Sequence, residues 1–184
     1  MAARLRRLIV QIDPALSQLA YRCYPNGCPR ERTCCVGMAV SVSRSEIRVI
    51  DSLMDELARF IPGLHEDGGY ADVFIEESRG MQIDPRDERG TCPFLLPKRG
   101  RALCAIHHLA LRTGREVAAV KPRACRHWPL ILTRRGRHVR ISVHPSAQMI
   151  GCVAPLANLP GQPSIRAAFA AEINELRHLA SRRR

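Results

Sequence analysis

Eight cysteines constrain this 184-residue chain more than any other feature of its sequence. Cys34 and Cys35 are adjacent, and Cys23 and Cys28 precede them in one turn-rich stretch. The remaining cysteines are spread over the rest of the chain at Cys92, Cys104, Cys125 and Cys152. Thiolates are the preferred ligands of zinc and of iron–sulfur clusters. The sequence therefore predicts a fold with substantial loops that bound metal ties together.

A disulfide framework is the main alternative use of an even number of cysteines, and it belongs to exported proteins. The apolar run Leu8–Val10 near the start is shorter than the roughly 7–15 residues of a signal-peptide core, and it predicts a β-strand instead. No stretch approaches the roughly 20 apolar residues that span a bilayer. We therefore expect a cytoplasmic protein with reduced thiols and no membrane segment.

The formal net charge of +12 raises the question of a nucleic-acid partner. Of the 29 basic residues only Lys98 and Lys121 are lysines, and the arginines are scattered along the chain. Aromatic residues that could stack on bases make up only 4 % of the chain. This pattern is typical of a generally basic, solvated surface and disfavours a nucleic-acid partner, while a protein partner stays open.

Hydrophobic spacing predicts a mixture of helices and strands. Ser43 and Glu46 form a predicted capping box that opens an amphipathic helix over residues 44–61. Gly114 is predicted to end a helix over 104–114, and Ser164 to cap a last helix over about 164–181. The predicted strands cover residues 5–12, 38–43, 70–77 and 91–95, with a hairpin made of 128–134 and 137–143.

These elements predict one small α+β domain over residues 1–184. It would have short strands and hairpins, two to three helices, and long loops tied by a cysteine-ligated metal site.

The spacing of the first cysteines does not identify the metal. Four residues separate Cys23 from Cys28 and five separate Cys28 from Cys34. This is looser than a zinc-ribbon knuckle and differs from the ferredoxin patterns. Zinc and an iron–sulfur cluster, for example a 4Fe–4S cluster, both remain open. Eight thiolates could make two four-cysteine sites, or one cluster with spare cysteines.

The order of the motifs carries a family resemblance. The cysteine group ends in the adjacent pair, and after a strand and a helix come CPFL (92–95), CAIH (104–107) and KPRACRHWPL (121–130). This order resembles the zinc- or iron-chelating cysteine-cluster family, the YkgJ-like proteins, over about residues 20–152. The resemblance implies that the shared metal-binding residues are Cys28, Cys34, Cys35, Cys92, Cys104 and Cys125. It also implies Cys23 as the first member of the N-terminal group and Cys152 as a late member.

Three residues near these cysteines, His107, Lys121 and Arg126, could each either contribute to the metal site or have no part in it. His107 is three residues after Cys104 on the predicted helix and could ligate the metal, but His or Tyr at this position in the family favours a packing role. Lys121 and Arg126 flank Cys125, where a cation would lower a thiol pKa and offset the charge of a cluster. Solvent exposure is the alternative for both.

The function expected from these features is to hold a cysteine-ligated iron–sulfur cluster or zinc in a structural, redox or metal-handling role. No nucleophile–base pattern, P-loop, dinucleotide fingerprint or HExxH motif is present, so a stand-alone enzyme is not expected. Two alternatives stay open. One is a cluster-dependent enzyme or subunit similar to the flagellin lysine N-methylases, and the other is a metal-stabilised nucleic-acid-binding module.

Overall fold

The computed structural model describes residues 8–22, 28–29, 33–78 and 80–182. Contacts within the chain divide it into two compact units. Unit 1 combines the chain up to Arg22 with the part from His127 onward, and unit 2 runs from Cys23 to Arg126. Each unit is described by itself below.

Short strands and helices make up both units. The strands are Ile9–Ile12 (β1), Leu19–Tyr21 (β2), Cys28–Pro29 (β3), His65–Glu66 (β4), Gly69–Tyr70 (β5), Phe74–Glu77 (β6), Gly80–Ile83 (β7), Leu95–Lys98 (β8), Arg101–Cys104 (β9), Leu130–Arg135 (β10), His138–Val143 (β11) and Val153–Pro155 (β12). The α-helices are Arg44–Asp51 (α1), Met54–Ala58 (α2), Ala105–Thr113 (α3), Val117–Val120 (α4), Arg123–His127 (α5), Pro145–Met149 (α6), Ile165–Ala168 (α7) and Ala170–Arg182 (α8). Short 3-10 helices occupy Pro14–Ser17, Pro62–Leu64 and Leu156–Asn158. The predicted α+β class is confirmed.

Unit 1 is built on a sheet of strand order β1-β11-β10. The predicted hairpin is confirmed, since β10 and β11 pair antiparallel, and β1 adds parallel to β11. Strands β2 and β12 form a separate antiparallel pair. The predicted apolar face of the last helix is buried, although Phe169 separates that helix into α7 and α8. Its buried residues are Ile165, Phe169, Ile173 and Leu176.

Unit 2 encloses one apolar core, which α1, α2 and α3 cover together with short strands. The spacing of apolar residues in the predicted helix explains this burial, because positions three and four apart share one helix face. The largest contributors to the core are Ile50, Leu53, Met54, Leu57, Phe94, Ile106 and Leu109. Partly buried Cys92, Cys104 and Cys125 pack against the same core.

Several predicted elements of unit 2 differ in the structure. The predicted helix 44–61 is two helices, because the chain turns at Ser52 and Leu53 between α1 and α2. Residues 38–43 do not form a strand and have only an isolated bridge between Ser41 and Gln82. The predicted strand 91–95 is likewise reduced to a bridge between Val36 and Thr91, and β8 begins only at Leu95.

Two other predictions for unit 2 agree with the structure, the second of them in part. Helix α3 ends at Gly114 in the left-handed conformation, as expected. The predicted strand 70–77 forms mainly as β6, which makes a hairpin with β7. A three-stranded sheet of order β3-β9-β8 carries Cys28 and Cys104. No helix in the described ranges has the length and apolar character needed to cross a membrane.

Candidate metal centre

The adjacent cysteine pair is held against the segment that carries Cys92. The backbone N–H of Cys92 donates to the carbonyl of Cys35 at 2.8 Å, and Val36 bridges Thr91. One step further, the N–H of Gly37 donates to the carbonyl of Gly90 at 3.0 Å. These backbone bonds bring together two loops that are more than fifty residues apart in sequence.

The contact between these loops requires glycine at position 90. Gly90 has φ +74°, a conformation that side chains disfavour, and a Cβ there would lie 3.1 Å from both Cα and N of Gly37. A glycine therefore permits the close approach that aligns the cysteines.

Cys104 lies where β9 ends and α3 begins. It is the N-cap residue of α3, and the backbone N–H groups of Ile106 and His107 in the first turn act to lower the pKa of its thiol, without a side-chain cap hydrogen bond. Helix α3 is docked on the Cys92 segment, since the N–H of Ala105 donates to the carbonyl of Phe94 at 2.9 Å. N–H groups directed at sulfur stabilise the thiolate form and any metal bound to it.

Cys125 is placed by the short helix α5. The carboxylate of Glu46, at the start of α1, accepts the backbone N–H of Arg123 at 2.6 Å and that of Ser43 at 2.7 Å. The predicted capping box is thus confirmed, and the same Glu46 side chain also fixes the start of α5. The N–H of Arg126 bonds to the carbonyl of Pro122 and completes the turn around Cys125.

The four residues Cys35, Cys92, Cys104 and Cys125, here called the thiol cluster, interact with one another electrostatically. Burial raises the pKa of Cys92 above the ordinary thiol value, and neighbouring Cys35 and Cys104 raise it further. Burial likewise raises the pKa of Cys125, with added effects of Cys104, Cys92 and Cys35. Burial also raises the pKa of Cys104. All of these thiols are neutral at pH 7 when no metal is bound.

Cys35 differs in the cause of its shift. A hydrogen bond with the Cys34 thiol is the main reason that the pKa of Cys35 is raised, and burial adds to it. The backbone N–H of Cys35 bonds to Thr33 Oγ1 at 3.2 Å.

Two cations oppose these upward shifts. Lys121, at the end of α4, lowers the pKa of Cys35, Cys104 and Cys125. Arg86 does the same for Cys92, and its guanidinium donates to the carbonyl of Pro93. The positive charge lies where ionised thiolates would need it.

The donor chemistry of the thiol cluster fits a soft metal, because sulfur ligands surrounded by N–H donors and cations suit zinc and iron. The described cysteines are all free thiols. In the described parts of the chain, however, no group of three or more His, Cys, Asp or Glu side chains has the geometry of a metal site. As placed in the structure, the side chains of the thiol cluster do not form a metal-binding group.

The other predicted ligands have different surroundings. Cys28 is buried on β3 opposite Ala102, and alternation along β9 puts it on the sheet face that carries Cys104. Cys152 belongs to unit 1, where its thiol donates to the carbonyl of Ala147 at 3.3 Å. Cys23 lies outside the described residues. The ligand assignments of Cys23, Cys28, Cys34 and Cys152 stay predictions.

Histidines contribute mainly to packing. Burial lowers the pKa of His107 to about 4, with further effects of Lys121 and His108, so its ring is neutral at pH 7. His127 pairs with Glu175 at 3.0 Å, and His144 Nδ1 accepts the N–H of Ser146. His65, His138 and His178 are exposed.

Thr33 and Arg86 are the neighbours of the thiol cluster that sequence reasoning missed. Thr33 could have been predicted from the sequence, because a threonine hydroxyl often bonds to the backbone N–H two residues later and forms a turn. No sequence pattern predicts the position of Arg86. Its contact with the Cys92 segment depends on the turn that precedes Thr91, where the N–H of Arg86 bonds to the carbonyl of Thr91.

Comparisons with known proteins do not assign the chain to a family. No protein-family model matches it, and neither curated proteins nor solved structures give a significant match.

Proposed function

We propose that unit 2 is a metal-binding module in which the thiol cluster holds zinc or an iron–sulfur cluster. Its role would be structural, redox or metal-handling, in a reducing compartment such as the cytoplasm, where thiols persist. The resemblance to the zinc- or iron-chelating cysteine-cluster family supports the same proposal.

The observation that carries this proposal is the mutual interaction of four thiols from four separate chain segments. Single buried cysteines often act only as small apolar residues. That role does not explain why backbone N–H groups of Phe94, Ile106 and His107 lie where they lower the pKa of Cys92 or Cys104. It also does not explain the effect of Lys121 on three of the thiols.

In the loaded protein, Cys35, Cys92, Cys104 and Cys125 would be the ligands. Zinc would supply a closed cross-link between loops, and an iron–sulfur cluster would add electron transfer. The N–H groups at the start of α3 would orient Cys104, while Lys121 would offset negative charge on the thiolates.

Single serine substitutions test the ligand set. We expect Cys92→Ser, Cys104→Ser and Cys125→Ser each to lower zinc and iron per chain at least tenfold after identical purification, since a ligand is lost. Cys152→Ser is the comparison, because serine can keep the hydrogen bond to Ala147 and the residue lies in unit 1, and unchanged metal content there would separate Cys152 from the ligand set. Wild-type metal content in all three cluster variants would disprove the assignment.

A further inference from the structure

A groove on unit 2 lies beside the thiol cluster but is not part of it. It is bounded by residues 37–39, by one face of the β6–β7 hairpin and by the loop 84–90, and it has a volume of about 440 Å³. We call it the hairpin groove. Its size is within the range of about 300–1,000 Å³ that is common for ligand sites.

The shape of the hairpin groove follows from small residues and from the register of the hairpin. Ile75 pairs with Gln82, and Ser41 bridges Gln82, so these side chains share the outer face of the hairpin. Alternation puts Glu77 and Ala39 on the same face. Because Ala39, Gly37 and Gly90 have little or no side chain, the surface between hairpin and loop is concave.

The charge of the hairpin groove is opposite to that of the chain. Glu77, Asp84 and Glu88 line it, with Arg89 as the single cation among the described lining residues, whereas the whole chain has a net charge of +12. None of the three carboxylates forms an ion pair or side-chain hydrogen bond with the described residues. Within the described part of the chain, these charges are therefore not neutralised by a direct ion pair.

Apolar and polar lining residues together select the kind of cation. Ile75 is 39 % exposed, and Met38 also lines the groove, so apolar side chains are present to contact an aliphatic chain. Lysine and arginine combine a long aliphatic stem with a charged end, which matches this surface.

We propose that the hairpin groove docks an extended peptide segment of a partner protein that presents lysine or arginine side chains. The stem of a basic side chain lies against Ile75 and Met38, and its charged end reaches Glu77, Asp84 or Glu88. The groove adjoins the Gly37–Gly90 contact, so the bound segment lies next to the loops that carry Cys35 and Cys92.

Fluorescence anisotropy with the full chain tests this proposal. The probe is a labelled peptide of alternating lysine and alanine, and the comparison peptide has glutamate in place of lysine. We expect saturable binding of the lysine peptide only, with an affinity that falls as salt is added. Absence of saturable binding, or equal binding of both peptides, would overturn the proposal.

Charge-matched variants separate the groove from the general surface. Glu77→Gln with Glu88→Gln should weaken binding about three- to tenfold, as expected for two partly exposed ion pairs. Glu66→Gln with Asp67→Asn changes the charge equally at exposed sites outside the groove and should alter affinity less than twofold. Equal weakening by both pairs, or displacement of the peptide by stoichiometric Ca²⁺ or Mg²⁺, would contradict peptide docking in the groove. Bound metal in the same samples should be unchanged, which keeps this test independent of the thiol cluster.

Discussion

A pair of glycines determines how closely the two cysteine-bearing loops of unit 2 can approach. Gly37 donates its N–H to the carbonyl of Gly90, and the space beside Gly90 is filled by the backbone of Gly37. Cys35 and Cys92 are each two residues from this contact, and their backbones bond to each other. The position of two of the four proposed ligands therefore depends on a contact that contains no side chain.

Gly90→Ala should destabilise the protein by about 1–3 kcal/mol, because it adds both a strained φ and a backbone clash. Gly68→Ala is the matched control, since Gly68 has φ +92° but a methyl group added there would meet nothing within 4 Å. Urea unfolding of both variants measures the difference. A Gly90→Ala variant no less stable than Gly68→Ala would show that the close contact is unimportant.

The thiols should make metal binding strongly dependent on pH. Their pKa values are raised in the metal-free protein, so each ligand carries a proton at pH 7 and must release it on binding zinc. Calorimetry in buffers of different ionisation enthalpy should show release of close to four protons per zinc ion, and affinity should fall as pH is lowered. Release of one proton or none would contradict four thiol ligands.

The same shifts set the stability of the metal-free protein at high pH. A thiol whose pKa is raised in the folded state contributes to the free energy of unfolding at every pH below its ordinary pKa of 9.0. This contribution is lost as the pH rises from 9.0 through the raised pKa of the folded state. Metal-free protein should therefore lose stability above about pH 9.

Among the elements, α1 and α5 are connected through one carboxylate. Glu46 accepts N–H groups from Ser43 and from Arg123, and in this way it joins the start of the first helix to the helix that carries Cys125. Burial acts to raise the pKa of Glu46, but the hydrogen bonds from Arg123 and Ser43 outweigh it and hold the pKa below the usual 4.5.

Glu46→Gln should lower the free energy of unfolding by about 1–2 kcal/mol at pH 7, because charge-assisted hydrogen bonds to two helix starts are weakened. Since the folded pKa is lowered, the wild-type advantage exists above about pH 4.5 and disappears as pH falls further. Glu76→Gln on the exposed part of β6 is the control and should be neutral. An unfolding difference that persists unchanged at pH 3 would contradict this role of the Glu46 charge.

The elements also show which features periodicity can predict. Spacing of apolar residues correctly identified the buried face that runs from Ile50 to Ile61. It could not identify the break between α1 and α2, where the Ser52 hydroxyl bonds to the carbonyl of Val49 at 2.6 Å and Leu53 N–H bonds to Ile50. The apolar face continues across the turn, so the pattern is the same with or without the break.

The predicted strand 38–43 failed for a related reason. Val40 and Val42 are buried and alternate with exposed neighbours, as a strand requires. The segment nevertheless makes only two backbone bonds to the hairpin, from Val42 to Met81 and from Ile83 to Val40. Alternation of apolar and polar residues predicts which side chains are buried. It does not predict how many backbone hydrogen bonds a neighbouring strand makes with the segment.

For the whole molecule, the cysteine motifs predicted part of the candidate site. Sequence order predicted all eight cysteines as ligands, and four of them, Cys35, Cys92, Cys104 and Cys125, interact electrostatically in the fold. It could not separate them from Cys152, because the division of the chain into two units depends on long-range pairing such as that of β1 with β11. Metal binding by the thiol cluster stays a proposal.

Metal and sulfide analysis of the full chain, purified without oxygen from a reducing host, tests the central claim most directly. A site at the thiol cluster predicts either about one zinc per chain and a colourless protein, or iron with acid-labile sulfide and a visible absorption that dithionite bleaches. Folded protein that contains neither zinc nor iron would contradict the account.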